Sequence, residues 1–176
     1  MENNAKKEFE KYLKSWAIEN NRYKNGVDVG CGTCRIDDMI LSIDNQSDYR
    51  YASSQIVWDC KDLEIFADGK LDFIFSSHCL EDFEDIPAVF TNWWRKLKPN
   101  GLMLLLLPDI EGGRYPKVGA PNGNPSHRTN VGKDYIIAML NSLQEKGLIG
   151  KYSILQCDTI PHNESNSIDF VIRKED

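Results

Sequence analysis

The 176-residue chain has no apolar run approaching the ~18 residues that a membrane-spanning helix needs. Its longest such run, residues 102–107, is of strand length. The first residues, Met1-Glu2-Asn3-Asn4-Ala5-Lys6-Lys7, lack the apolar stretch of a secretory signal, so a cytoplasmic location is expected. An excess of positive charge is missing too: 21 Lys and Arg face 27 Asp and Glu, a formal net charge of −6. Polyanion binders carry basic surfaces, so nucleic acid is not the expected partner. The five cysteines (Cys31, Cys34, Cys60, Cys79, Cys157) are an odd count without an export signal, which argues against a disulfide framework. No repeat, low-complexity tract or linker breaks the chain. Residues 1–176 read as one domain, large enough to bury roughly 70% of its unfolded surface.

Hydrophobic periodicity predicts the elements. Phe9, Tyr12, Leu13 and Trp16 mark one face of an amphipathic helix over residues 5–20, within an N-terminal region 1–24 closed by Asn25-Gly26. Short strands are expected at 27–29, 39–44, 54–58 and 71–75. A helix at 86–97 tolerates Pro87 in its first turn and buries Ile86, Val89, Phe90, Trp93, Trp94 and Leu97. Residues 102–107, apolar throughout, suit a central strand covered on both faces. The Gly-, Pro- and Asn-rich stretch 108–131 is a long loop, of the kind that usually binds or covers a ligand. A helix at 132–146 and strands at 152–159 and 167–173 complete the chain. Alternating strands and helices indicate an α/β fold with a largely parallel sheet. The last two strands are joined too briefly for a crossover and must pair antiparallel.

Chemistry concentrates after the first strand. Val27-Asp28-Val29-Gly30-Cys31-Gly32-Thr33 sets a carboxylate on a strand and follows it with a G-x-G bend, which lets backbone approach a ligand. Asp44, near the end of the next strand, is placed to grip vicinal ribose hydroxyls with its two oxygens. A dinucleotide site needs a third small residue where this chain has Arg35. It also needs a helix that has little room, because Asp44 comes only 12 positions after Gly32. A nucleoside without phosphates fits better. The C-x-x-C of Cys31 and Cys34 admits a dithiol redox pair or half a zinc site. A second close pair of ligands is wanting, because His78 and Cys79 are adjacent, and no metal is expected.

With these residues in place, the chain resembles the class I S-adenosylmethionine-dependent methyltransferases, in particular their short type 11 branch. The matching text is Val27-Asp28-Val29-Gly30-Cys31-Gly32, Ile43-Asp44 and Trp58-Asp59-Cys60-Lys61-Asp62-Leu63. After it come Leu71-Asp72-Phe73-Ile74-Phe75-Ser76-Ser77-His78-Cys79-Leu80-Glu81-Asp82 and Trp93-Trp94-Arg95-Lys96-Leu97-Lys98-Pro99-Asn100-Gly101. The resemblance implies a Rossmann-like, mostly parallel seven-stranded sheet with an antiparallel C-terminal strand, here with shortened first and second helices. It implies S-adenosyl-L-methionine as cofactor and S-adenosyl-L-homocysteine as product. Asp28, Gly30, Cys31 and Gly32 would serve the methionine end, Asp44 and Asn45 the ribose, and Asp59 and Cys60 the adenine. Ser76, Ser77 and His78 would stand where cofactor and acceptor meet. Cys34 replaces a third glycine found in many members, and the short front half leaves sheet uncovered, which invites a homodimer or cover by the N-terminal helix.

A base is needed only for an acceptor that loses a proton near the transition state. The candidates are His127 in the long loop and His78, with Glu81 behind them; Glu81 and Asp82 also read as helix-start carboxylates. Tyr115 is a candidate to close over the cofactor, and Arg114 and Arg128 to hold an anionic acceptor. Trp93 and Trp94 read as core, and Arg95, Lys96 and Lys98 as a helix end. The expected function is methyl transfer to a small-molecule or saccharide-type acceptor, at oxygen or nitrogen. The alternative is a catalytically silent S-adenosylmethionine-binding module acting as a partner or regulator.

Overall fold

The computed structural model describes residues 4–15, 25–46, 53–110, 112, 115–162 and 165–175. Seven strands form one sheet: β1 Gly26–Val29, β2 Leu41–Asp44, β3 Ile56–Val57, β4 Leu71–Ser77, β5 Leu97–Pro108, β6 Tyr152–His162 and β7 Ser165–Lys174. Their spatial order is β3-β2-β1-β4-β5-β7-β6. The pairs from β3 through β5 are parallel, whereas β7 runs antiparallel to both β5 and β6. The last two strands thus form the expected hairpin, and β7 slots between β5 and β6. The chain leaves β1 toward β2 on one side and later returns to β4 on the other. That reversal opens a crevice at the carboxyl ends of β1 and β4, where open α/β sheets bind ligands.

One face of the sheet is covered by α2 (Ile86–Lys96) and α3 (Lys133–Glu145). Asp85 caps α2 by accepting from the Ala88 amide at 3.1 Å, and Pro87 sits in the first turn. The buried side of α2 carries Ile86, Val89, Phe90, Trp93 and Trp94, and Trp93 Nε1 donates to the Cys60 carbonyl at 2.6 Å. Both tryptophans are core, as expected. At the end of the same helix Lys96 reaches Asp68 at 2.8 Å, and Lys98, just beyond it, reaches Asp72 at 2.6 Å.

The opposite face is covered by the N-terminal helix, α1 (Asn4–Ser15). Phe9 and Tyr12 are fully buried there against Phe73 and Phe75, with Ile36, Leu102, Leu104 and Val171 completing the cluster. Phe9 meets the edge of Phe75 at 5.5 Å between centroids. Lys11 binds the buried carboxylate of Asp169 on β7 at 3.2 Å, which pins the helix across the sheet. Trp16 and the rest of the expected helix lie outside the described residues, as does Arg114.

The expected shortening of the first crossover goes to completion. Residues 30–40 form turns and no helix, and of the second crossover residues 47–52 lie outside the described set. Ile36 and Ile40 from the first crossover join the α1 cluster, so apolar turn residues do part of the covering that a helix would do. No helix among the described residues is long and apolar enough to cross a membrane.

Candidate active site

The glycine bend is built by backbone geometry. Gly30 and Gly32 have φ of +72° and +54°, in the left-handed region that side chains resist. The two differ in what lies beside them. A Cβ on Gly30 would stand 2.3 Å from Cys79 Sγ, whereas one on Gly32 would meet nothing within 4 Å. Gly30 is packed against its own core, and Gly32 borders open space.

Two buried carboxylates hold this bend. Asp28 accepts from the Ile36 amide at 3.0 Å, closing the turn that follows the glycines. Its burial pushes its pKa up to about 7, despite the Ile36 hydrogen bond, with Asp44 adding to the rise. Asp44 accepts from the Gly32 amide at 3.0 Å with one oxygen and from the Gln46 amide at 2.9 Å with the other. The tip of β2 is thereby tied to the bend on β1. Ser76 Oγ donates to the Val29 carbonyl at 3.1 Å and locks β4 to the same point.

Between these strand ends lies a cavity of about 270 Å³ lined by Asp28, Gly30, Gly32, Ile36, Ser77 and His78, among others. Cys31 borders it, its thiol pushed up to about 12 by burial and by the carboxylates of Asp28 and Asp44. A redox dithiol needs a thiolate stabilised near neutrality, so the environment of Cys31 opposes that chemistry. Asn45 is exposed just past Asp44. Asp59 is exposed and accepts from the Lys61 amide at 2.9 Å. Cys60 is buried, with its thiol against the carbonyls of Ile43 and Trp58. Trp58, next to Asp59, is half-exposed, and neither it nor Asp59 nor Cys60 lines the cavity.

Two irregular segments meet beside the cavity. His78 follows β4 directly, with φ of +50° and its amide bonded to the Leu106 carbonyl at 2.8 Å. The chain then makes a 3-10 turn over Leu80–Asp82 rather than opening a full helix. That turn directs Glu81 inward: instead of a solvated helix-start carboxylate it is fully buried. The long loop is fastened to the same turn, since the amides of Arg128 and Thr129 donate to the Glu81 carbonyl at 2.9 and 3.1 Å. Thr129 Oγ1 also donates to the Phe83 carbonyl at 3.1 Å. These bonds deliver His127, 3% exposed, to Glu81.

Three side chains therefore converge. Glu81 Oε1 lies 3.3 Å from His78 Nδ1 and 3.4 Å from His127 Nε2. Tyr115 stacks on both imidazoles, at 6.0 Å from His78 and 5.4 Å from His127 between ring centroids. His78 Nε2 bonds Ser167 Oγ at 3.1 Å. Burial lowers the His127 pKa against the opposing pull of Glu81, and burial beside Glu81 raises Asp82 to about 6. His78 reaches the cavity, while His127 and Glu81 stand behind it. Arg128 is exposed, beside Asp82 in a separate hollow.

The sequence named His78 and His127 as candidates with Glu81 behind them; the geometry of their convergence depends on the loop path, which no local spacing encodes. Cys79, which underlies Gly30, was missed as a supporting residue. No sequence signal marked it, since its contact with Gly30 comes from the positive φ of His78.

Comparison with known proteins accords with this architecture. N-methyltransferase NodS from Bradyrhizobium japonicum WM9, crystallised with S-adenosylhomocysteine, superposes with a TM-score of 0.66. It is 14% identical, with 99% of this chain and 90% of that chain covered. The Burkholderia thailandensis 1,6-didemethyltoxoflavin-N1-methyltransferase, with bound 1,6-didemethyltoxoflavin and S-adenosylhomocysteine, gives 0.62 at 10% identity, over 97% of this chain and 87% of that one. At these identities the likeness is one of fold. By sequence, a malonyl-[acyl-carrier protein] O-methyltransferase of Xylella fastidiosa (strain M23) is 42% identical over 52 residues. That match takes in 30% of this chain and spans only 17% of the relative's length. The family described as a methyltransferase domain matches residues 27–105, from β1 into β5. That segment holds the glycine bend, Asp44 and the His78 turn, so the likeness to the methyltransferase domain family falls on the candidate site itself.

Proposed function

We propose that the protein is a methyltransferase that uses S-adenosyl-L-methionine and leaves S-adenosyl-L-homocysteine, with a small-molecule or saccharide-type acceptor. The observation that carries this reading is the bend at Gly32. Its left-handed backbone faces open space, and its amide is held by the carboxylate that ends β2. A backbone so exposed, at the switch point of the sheet, suits close approach of a ligand. The residues fit the group. Gly30, Cys31 and Gly32 would pass beneath the methionine end, with Asp28 below them. Asp44 would offer its remaining lone pairs to the ribose, beside Asn45. Asp59 would accept from the adenine amine, with Cys60 and Trp58 beside it. Ser76 and Ser77 would form the base of the mouth.

S-adenosylmethionine supplies a methyl group already activated on a sulfonium sulfur. What remains for the chain is to orient the acceptor and exclude water, which is worth several kcal/mol of barrier. His78 is the titratable side chain at both the cavity and the acceptor side, so it is the group to receive a proton from a hydroxyl acceptor. His127 acts behind it through Glu81. Tyr115, stacked on both rings, holds them in one orientation.

The test is incubation of the full chain with S-adenosylmethionine and a panel of hydroxyl- and amine-bearing small molecules and saccharides. Formation of S-adenosylhomocysteine that depends on both acceptor and protein is expected. Binding of S-adenosylmethionine without turnover on any acceptor would favour the silent module instead.

A further inference from the structure

We propose that His78 Nδ1, Glu81 Oε1 and His127 Nε2 form a binding site for one divalent transition-metal cation of the zinc class. The three ligand atoms lie within 4.8 Å of one another, the one such group of His, Cys, Asp or Glu side chains among the described residues. Ligand atoms about 2.1 Å from a tetrahedral ion stand about 3.4 Å apart. The two measured edges, 3.3 and 3.4 Å, match that spacing.

The contacts are not ordinary hydrogen bonds. Both oxygens of Glu81 and both ring nitrogens of His127 are buried without a hydrogen-bond partner among the described residues. Buried polar atoms are nearly always satisfied, and a buried carboxylate without compensation is costly. A cation at their meeting point gives Glu81 Oε1 and His127 Nε2 the partner they lack. The surroundings also suit ligation. His78 Nε2 is engaged by Ser167 Oγ, which leaves Nδ1 turned toward Glu81. Such outer contacts fix ring orientation in metal sites. Two imidazoles and one carboxylate favour zinc, cobalt or iron over magnesium or calcium, which prefer oxygen.

Three protein ligands leave a position for a fourth, as in catalytic zinc sites. Since His78 also edges the cavity, a hydroxyl acceptor could complete the shell and release its proton to water near neutral pH. This use of the ion rests on the methyltransferase reading above and takes the place of His78 as the proton acceptor there; the ion site itself does not rest on that reading.

The experiment uses the full chain, stripped with a chelator and titrated with cobalt(II) chloride while visible absorption is followed. One equivalent should bind with ligand-field bands, and zinc chloride should displace it. Glu81→Gln and His127→Ala should each weaken binding at least about tenfold, the smallest loss that removing even an outer partner causes. His78→Asn, at a partly exposed position, gives the same reading should either buried variant fail to fold. Cys34→Ser, which breaks the C-x-x-C pair, should leave the titration unchanged. Absence of a saturable equivalent, or binding abolished only by Cys34→Ser, overturns the proposal. S-adenosylhomocysteine binding by the same stripped protein is measured in parallel. Adenosyl binding without metal binding defeats the ion site alone, and the converse defeats the methyltransferase reading alone.

Discussion

At the scale of single residues, the two glycines of the bend separate folding from binding. Gly30→Ala combines a left-handed backbone with a collision at Cys79, and should cost about 1–3 kcal/mol or more. Gly32→Ala bears the backbone strain alone. It should be the milder change in denaturant unfolding yet the more damaging one to adenosyl binding, because its Cβ enters the open side. Equal losses of binding per unit of stability in the two variants would show that Gly32 faces no ligand. Asp28 gives a pH signature. Its folded-state pKa of about 7 exceeds the ordinary 3.8, so the folded chain holds the proton more tightly than the unfolded one. Stability therefore falls as pH rises from about 4 to 7 and levels off above, by on the order of 4 kcal/mol. Asp28→Asn keeps an acceptor for the Ile36 amide and should flatten that slope, which urea denaturation at a series of pH values would register.

At the scale of elements, α1 replaces cover that the missing first crossover helix would have given. Phe9 and Tyr12 seal Phe73 and Phe75, of which Phe75 also lines the cavity. Phe9→Ala should cost roughly 3–5 kcal/mol, the scale of an aromatic removed from a packed core. An unfolding midpoint unchanged by that substitution would mean that α1 is not part of the cooperative unit. The elements also show what the sequence could reveal. Strands and helices with strong periodicity, such as α2 and the 102–107 run, were legible because their apolar spacing is dictated by their own packing. β3 was expected over five residues and pairs over only Ile56–Val57, since ladder length depends on what β2 offers beside it. Glu81 read locally as a helix-start carboxylate. It faces inward because the 3-10 turn and the loop bonds to its carbonyl rotate it there, and those are tertiary facts.

At the scale of the whole molecule, chain order and site are one fact. The reversal of strand order at β1 and β4 opens the crevice, the glycine bend floors it, and the loop from β5 to α3 brings His127 to Glu81 behind it. Larger hollows exist elsewhere. One of about 510 Å³ beside Gly26, Leu41 and Leu71 lies at the amino ends of the strands, where an open α/β sheet does not place its ligand. The adenosyl assignment therefore predicts binding at the smaller, polar crevice. Calorimetric titration of S-adenosylhomocysteine into the full chain, with Asp44→Ala alongside, tests it most directly. Saturable one-to-one binding, weakened by about 1–3 kcal/mol in the variant as hydrogen bonds to a charged group are lost, is the predicted result. No heat of binding to the wild type, or equal affinity in the two proteins, would contradict it.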